Sequence, residues 1–423
     1  MSDHDDRAVR FNRAERSQSE WREFSLEQFI SVDHRVRVVW RYVQKLDMSL
    51  LESQYKAVEG KQGRNAVDPR ILMALWLYAT TESISSAREI ERRCTRDLAF
   101  MWICGGVSVN HHLISDFRSL NSEFFQKTLV TNVASLLYAK VITLETVAQD
   151  GMRVRANAGS SSFKRKAKLK NCVEKAKAHV EFMSQQESAE ITKAQQAAQE
   201  RAAQEQLARA EEALRQIEEL EKEREKRKKG SGEQARCSTT DPDSRKMKMG
   251  DGGFRPAYNV QLACDGQSQL IVGVAVTNSG NDHEQMEPML DQIKENFAQL
   301  PQKMLVDTGF SGKAAVSRAE ADGIEIYAPI HGKEAMEKRG NDPYARQRSD
   351  TDEYFGFRQR MATEQAQQIY KRRSAIAEFP NAEFRNRGLT QFRVRGQSRV
   401  LASTLLYALS FNFMRSITLN LVK

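Results

Sequence analysis

The spacing of apolar residues changes twice along the chain and predicts three kinds of structure. From about residue 26 to residue 140, apolar side chains recur every three or four positions, the period of amphipathic helices. Residues 164–237 are dominated by Ala, Gln, Glu, Arg and Lys, and their apolar residues are too sparse for a sustained coiled-coil seam. This stretch predicts a charged helical arm inserted into another domain. After residue 238 the period becomes two, which indicates strands.

The inserted arm also has charged residues four positions apart with the acid first, the favourable order on a helix surface. These predicted ion pairs are Glu211–Arg215, Glu218–Lys222 and Glu223–Arg227.

The N-terminal helices have clear start signals. Asp33 is placed to cap the first, and Asp68-Pro69 opens an apolar helix over residues 71–78 that should form the core of this domain. Ser86 and Glu89 have the spacing of a capping box.

Three short helices follow, over residues 87–94, 98–103 and 111–118, and Asn110 is expected to cap the last. The last helix is expected to expose His, Ser and Arg side chains, including Arg118. Short helices of this kind, separated by a glycine turn, suggest a helix-turn-helix DNA reader. An ordinary helical bundle is the alternative that the pattern leaves open.

The later segments predict a sheet. Alternating residues 258–264, an Asp-Gly turn and the apolar run 270–276 predict a β-hairpin whose second strand lies centrally in the sheet. Two other apolar segments each run into an acid, one before Asp150-Gly151 and one before Asp307. We expect both acids at strand ends, with Gly151 turning the backbone away. Residues 331–360 are polar and predicted to be mobile, and the apolar segment 401–414 should be a helix packed on the sheet. Asp282 is predicted to cap the helix that begins at residue 284.

Composition limits the class of protein. The 423 residues include 65 Lys+Arg and 56 Asp+Glu, a net charge of +9 that is modest for this length. The five cysteines form no CxxC pair, which favours reduced thiols over a disulfide framework or a zinc site. The acidic, polar N-terminus does not resemble a secretory signal, and no apolar run approaches the roughly 18–20 residues of a membrane span. We therefore expect a cytoplasmic protein.

The order of these elements is typical of an RNase H-like nuclease fold: a strand with an acid, an antiparallel hairpin, a helix, a second strand with an acid, and a late helix with a glutamate. Asp150 and Asp307 would then lie on neighbouring strands. The late glutamate lies in a basic segment, since residues 371–399 hold eight Lys or Arg against two acids. Arginine suits phosphate contacts, which favours a polyanionic substrate.

At this point the sequence resembles the DDE transposases of bacterial insertion sequences. The resemblance covers roughly residues 25–420 and is carried by residues 150–158, 258–261 with 241–243 upstream, 306–310, and 370–380 with Arg385 beyond. The chain departs from the family pattern at Phe379, often a histidine in relatives, and at Asn381-Ala382, which replace Phe-Gly. Glu383 is therefore the rival to Glu378 as the third acid.

The resemblance implies a DNA transposase that cleaves transposon ends and joins them to target DNA. The alternative is a transposase-derived DNA-binding protein without catalysis. Asp150, Asp307 and Glu378 would be the catalytic acids and would hold two Mg²⁺ ions, for which Mn²⁺ can substitute. The partner would be double-stranded DNA, both terminal inverted repeats and target, bound by a homodimer in the bacterial cytoplasm at the nucleoid. The residues expected to touch DNA are Arg153, Arg155, Tyr370, Arg373, Arg385, Arg393 and Arg395.

The predicted fold class is α/β, an RNase H-like mixed sheet with flanking helices. The domains would be a flexible arm (1–25), a helical DNA-binding domain (26–140), a catalytic domain (141–163 and 238–423) and the inserted helical arm (164–237).

Overall fold

The computed structural model describes residue 17 and residues 25–55, 65–185 and 192–421. The predicted flexible arm, residues 1–25, therefore lies almost entirely outside the described residues. The described chain begins with a group of helices, continues into a mixed sheet, and carries a helical insertion after the first strand.

The N-terminal helices surround one apolar helix. Its N-cap is Asp68, with Pro69 as the first helical residue, and it is buried on nearly every side, as predicted. The Trp76 indole N–H donates to the Ile114 carbonyl at 2.8 Å, so this helix is tied to the last of the three short helices. The helices are α1 (Leu26–Phe29), α2 (Arg35–Gln44), α3 (Ser49–Glu52), α4 (Pro69–Thr81), α5 (Ala87–Arg93), α6 (Leu98–Cys104), α7 (His111–Leu120) and α8 (Ser122–Tyr138).

Some of the predicted caps differ from those observed. His34, rather than Asp33, accepts the Val36 N–H at the start of α2. Ser86 precedes α5 but its side chain makes no capping bond, so the predicted capping box is wrong. Asn110 does cap α7, by accepting the Leu113 N–H at 2.9 Å.

Arg118 is buried, in contrast to the prediction that α7 exposes it. Its guanidinium lies 4.5 Å from the centre of the Trp76 ring and donates to the Ser85 carbonyl at 2.9 Å. It therefore stabilises the helical core and is not available to read DNA.

The sheet has the strand order β4-β5-β1-β7-β8, with β6 paired to β5. The pairs β4–β5, β5–β6 and β1–β5 are antiparallel, whereas β1–β7 and β7–β8 are parallel. This is the predicted RNase H-like mixed sheet. The strands are β1 (Thr146–Arg155), β2 (Phe163–Lys164), β3 (Cys237–Ser238), β4 (Arg245–Lys248), β5 (Phe254–Asp265), β6 (Ile271–Thr277), β7 (Lys303–Leu305) and β8 (Glu325–Tyr327).

Strand β6 lies at an edge of the sheet, so the predicted hairpin is confirmed but the central position of its second strand is wrong. Its continuous apolar sequence has another cause, because helices cover both of its faces. Residues that point to either face of β6 are buried, and on one face the Met289 sulfur lies so near Gly273 that a Cβ there would sit only 2.4 Å away. The open edge is covered as well, since the Asn412 amide bonds both backbone groups of Ile271 at 2.8 Å.

Strand β1 does not end before Asp150. It runs from Thr146 to Arg155, and Asp150 pairs with Leu262 in its middle. Gly151 is ordinary extended backbone opposite Gln261 and makes no turn, so that prediction is wrong.

The insertion is a pair of helices, α9 (Lys166–Gln185) and α10 (Lys193–Arg227), whose ends are joined by the short β2–β3 pairing. The helices are antiparallel, since Lys177 pairs with Glu211 and Lys166 with Glu218. The predicted pairs Glu211–Arg215 and Glu218–Lys222 are thereby replaced, because both glutamates pair with lysines of α9 instead. Leu169, Ala213 and Ile217 form a small core between the helices and the base.

Residues 331–360 are folded, contrary to the prediction of mobility. They contain α13 (Lys333–Lys338) and most of α14 (Asp352–Ala362). The Arg358 Nε lies 2.8 Å from Asp350 Oδ2, and both side chains are at most 1% exposed. A buried ion pair of this kind requires fixed surroundings.

The remaining helices flank the sheet: α11 (Met286–Phe297), α12 (Lys313–Ala321), α15 (Glu364–Arg373), α16 (Phe379–Asn386) and α17 (Gln397–Thr418). Among the described residues, α17 is the one helix long and apolar enough to cross a membrane, and 72% of its most apolar stretch is buried inside the protein. It is thus packed as a core helix. Asp241 and Asp243 cap it by accepting the Gly396 and Gln397 N–H groups at 3.1 and 2.9 Å.

Candidate active site

The first two predicted acids belong to neighbouring strands, since Asp150 lies within β1 and Asp307 follows β7 by two residues. The β1–β7 pairing matches Val147 with Met304 and Ala148 with Leu305. The pairing ends at Leu305, and extending its register by two residues would match Asp307 with Asp150. Each carboxylate also accepts the backbone N–H of the residue that follows it, at 2.9 Å for Asp150 and 2.8 Å for Asp307.

The third predicted acid, Glu378, ends a single π-helical turn, Ser374–Glu378, between α15 and α16. In an α-helix, side chains five residues apart point about 140° away from each other. A π-turn, whose hydrogen bonds span five residues, brings them to the same side. Arg373 Nη2 therefore reaches Glu378 Oε1 at 3.2 Å.

Arg373 lies between the acids. Its Nη1 is 3.7 Å from Asp150 Oδ1, so one guanidinium faces both Asp150 and Glu378. Burial raises the pKa of Tyr370. The charge of Arg373, to which Tyr370 is hydrogen-bonded, opposes this shift, and the nearby Asp307 carboxylate adds to it. Arg373 thus links Asp150 with Glu378, and Tyr370 lies near both Arg373 and Asp307. Across the described ranges, no three Asp, Glu, His or Cys side chains lie close enough together to hold a metal ion directly.

Asp150 sits in an environment that disfavours its charge. Burial raises the pKa of its carboxyl to about 6, opposed by Arg373 and the Gly151 N–H and reinforced by the carboxylates of Asp282 and Glu378. The Asn381 amide donates to Asp150 Oδ2 at 2.9 Å. Asn381 was seen in the sequence only as a departure from the family pattern, and its role here was missed.

The donor set fits a hard divalent cation. The Asn381 Oδ1 is buried and has no hydrogen-bond partner within the described structure, beside a carboxylate whose negative charge is poorly compensated. Amide and carboxylate oxygens are the ligands that Mg²⁺ and Mn²⁺ prefer. A cation between them would satisfy both groups.

The rival third acid, Glu383, is already paired elsewhere. Its Oε2 accepts from Arg387 Nη2 at 3.0 Å, one turn along α16. Arg387 also reaches the Thr81 carbonyl at 3.5 Å, on the side of the N-terminal helices. This geometry favours Glu378 over Glu383.

Asp282 forms a second polar cluster, which sequence reasoning assigned wrongly to a helix cap. Helix α11 begins at Met286, and Asp282 instead accepts the side-chain amides of Asn259 and Gln261 at 2.7 and 2.8 Å. Because these residues pair with Arg153 and Gly151, the cluster lies on the face of β1 opposite Asp150. The signal in the sequence was two amide side chains in a buried strand, which require a buried partner.

The residues expected to touch DNA fall into three groups. Tyr370 and Arg373 lie among the acids, and Arg153 is bound to Asp282 and to the Gly280 carbonyl on the other face. The rest are exposed: Arg155, Arg385, Arg393 and Arg395. Within this last group, Arg393 Nε bonds Ser85 at 3.4 Å and Arg395 Nε bonds the Asn157 carbonyl at 3.3 Å.

Two family models match the chain. Residues 24–120 match the model described as Transposase domain (DUF772), and residues 227–413 match Transposase DDE domain. The second match includes Asp307 and Glu378 but begins after β1, and Asp150 lies outside both matches. No curated protein and no solved structure matches the chain.

The fold and the second match define an RNase H-like, metal-dependent enzyme that acts on DNA. With the N-terminal match added, the chain belongs to the DDE transposases of insertion sequences.

Proposed function

We propose that this transposase cleaves the DNA at the ends of its element and joins the freed ends to target DNA, with Asp150, Asp307 and Glu378 as its catalytic acids. The observation that carries the proposal is the parallel β1–β7 pairing, which supports a position for Asp307 near Asp150. The contacts of Arg373 with both Asp150 and Glu378 support Glu378 as the third acid.

The three carboxylates, with Asn381 Oδ1, would hold Mg²⁺, or Mn²⁺ in its place, and two such ions are expected. When bound, the ions would supply activation of the attacking oxygen and neutralisation of developing phosphate charge. Asn381 holds one oxygen of Asp150 in place, and Glu378 is positioned by the π-turn. Arg373, placed between the acids, is available to contact the phosphate once cations neutralise them.

The substrate surface would combine two regions. The exposed arginines Arg385, Arg393 and Arg395 would grip phosphates, and the helical region 26–140 would recognise the terminal inverted repeats. The contact of Arg393 with Ser85 supports a continuous surface across both regions. A homodimer would hold two ends together, working on nucleoid DNA in the cytoplasm.

The test is cleavage of a labelled duplex that carries the element's end, in Mg²⁺, with DNA binding measured separately in Ca²⁺. Asp150→Asn, Asp307→Asn and Glu378→Gln each keep shape but remove a hard anionic ligand. Each should slow cleavage by at least about a hundredfold, comparable to the loss of one electrostatic stabiliser in other enzymes. Binding should be retained.

Glu383→Gln is the matched control, since it removes the same charge from the same helical segment. It should cleave almost normally. If Glu383→Gln abolishes cleavage and Glu378→Gln does not, the third acid is Glu383. If the unmodified protein binds element ends but cleaves none under these conditions, the alternative of a DNA-binding protein without catalysis holds.

A further inference from the structure

A large groove lies between the inserted helix α10 and the sheet edge formed by β4 and the start of β5. Its volume is about 980 Å³. The groove is basic, since seven Lys or Arg line it against two glutamates. None of its lining residues belongs to the three-acid site.

Part of this positive charge is not used by the protein itself. Arg245 is bonded to Gln216 and to the Pro242 carbonyl, and Lys246 lies over the Phe163 ring. By contrast, the described part of the chain offers no ion-pair or hydrogen-bond partner to the side chains of three other exposed cations: Arg165, Arg236 and Lys248. Unpaired cations along a groove are suited to a polyanion.

The groove also has an exposed aromatic side chain. Phe254, the first residue of β5 and the strand partner of Lys248, is 66% exposed. An exposed phenyl ring within a basic groove is the combination on which unpaired bases stack while their phosphates are neutralised.

The groove borders residues that contact β1, the strand that carries Asp150. Its floor includes Gly280, whose carbonyl accepts from Arg153 Nη2 at 3.1 Å, and Arg153 follows Asp150 by three residues on β1. A nucleic-acid strand lying in the groove would thus pass close to β1, which carries the first acid.

We propose that this groove binds single-stranded DNA, namely the unpaired strand that flanks an element end. A single strand fits better than a duplex because stacking on Phe254 needs an open base face, which base pairing and stacking conceal. The location near the end rests on the proposed function. The binding itself requires no catalysis and can be measured without it.

The experiment measures fluorescence anisotropy of a labelled oligothymidine of about 12 nucleotides, within the usual site size of about 4–16. The full chain is used with EDTA present, so cleavage does not contribute. The charge variant is Arg165→Ala, Arg236→Ala and Lys248→Ala combined. Its matched control removes three exposed lysines from α9: Lys168→Ala, Lys170→Ala and Lys175→Ala.

The charge variant should bind more weakly, and its slope of log affinity against log salt should fall by about 2, or about 0.7 for each lost phosphate contact. The control should bind like the unmodified chain. Phe254→Ala should weaken binding about five- to hundredfold without altering the salt slope, since it removes one stacked base, and Phe254→Trp should restore it.

The proposal is overturned if the groove and control variants lose affinity equally, or if Phe254→Ala has no effect. It is also overturned if the groove variants lose affinity for a blunt duplex as much as for the oligothymidine, which would indicate a general phosphate surface. Normal cleavage by the Asp150→Asn, Asp307→Asn and Glu378→Gln variants, with groove binding intact, would remove the proposed function alone.

Discussion

Gly151→Ala tests whether the close approach of Asp282 determines the residue at position 151. An alanine Cβ would lie 2.2 Å from Asp282 Oδ1 and 2.6 Å from Gln261 Nε2. The carboxylate would have to move and give up its bonds from the Asn259 and Gln261 amides, at 2.7 and 2.8 Å. Overpacking costs about 1–3 kcal/mol and a lost bond to a charged acceptor about 1.5–3, so we expect about 3–5 kcal/mol of lost stability.

The assay is urea unfolding of the single variants Gly151→Ala and Asp282→Ala and of the double variant. Asp282→Ala alone leaves two buried amides without an acceptor, at about 1–3 kcal/mol each. In the double variant the new methyl group occupies the space that the carboxylate has left. The double variant should therefore be about 1–3 kcal/mol more stable than the sum of the single effects implies. Additive effects, within about 0.5 kcal/mol, would refute the steric explanation.

Two further predictions concern buried carboxyls. The pKa of the Asp150 carboxyl is raised from its ordinary 3.8 to about 6, so the folded chain binds this proton more tightly than the unfolded chain does. The stability that this group contributes therefore falls as pH rises from about 4 to 6. Asp150→Asn should lack this loss. Measured by thermal or urea unfolding, its stability relative to the unmodified protein should therefore rise over that pH range by up to about 2–3 kcal/mol. A stability difference that does not depend on pH would contradict the raised pKa of Asp150. Asp350→Ala should cost about 3–5 kcal/mol in the same measurement because it leaves Arg358, which is 1% exposed, without its buried partner. Asp352→Ala, which removes a largely exposed acid nearby, should cost less than about 1 kcal/mol, and equal effects would show that burial is not the cause.

Much of the fold could be predicted because it depends on periodicity. The helical period near the N-terminus and the alternation after residue 238 indicated the right element types. The pairing of β1 with β7 followed from the order of strands, because apolar segments that each lead to an acid are typical of neighbouring buried strands. The position of β6 could not be obtained this way, since a strand covered by helices on both faces at an edge has the same apolar sequence as a central one.

The details of the site depended on contacts between distant parts of the chain. Asn381 bonds Asp150 across 231 positions of sequence, and Asp282 bonds Gln261 from a loop that looked like a helix start. The π-turn before Glu378 was also beyond pattern analysis, because its sequence suits an α-helix and only its surroundings impose the extra residue per turn. Local propensity therefore placed the acids on the correct elements but could not supply the groups that orient them.

The β2–β3 pairing at the base of the insertion changes the chain-entropy cost of building the sheet. Strands β1 and β5 are separated by about a hundred residues, yet this pairing joins residues 164 and 237, so the segment that remains to be ordered between the strands is only about 25 residues long. Loop-closure entropy grows with the logarithm of length, so the shortcut saves about 1 kcal/mol when β1 meets β5. Lengthening or shortening α9 and α10 beyond that base would leave the closure cost of the remaining segment unchanged. The helical pair can therefore diverge in length between related chains without any penalty to the strand that carries the first acid.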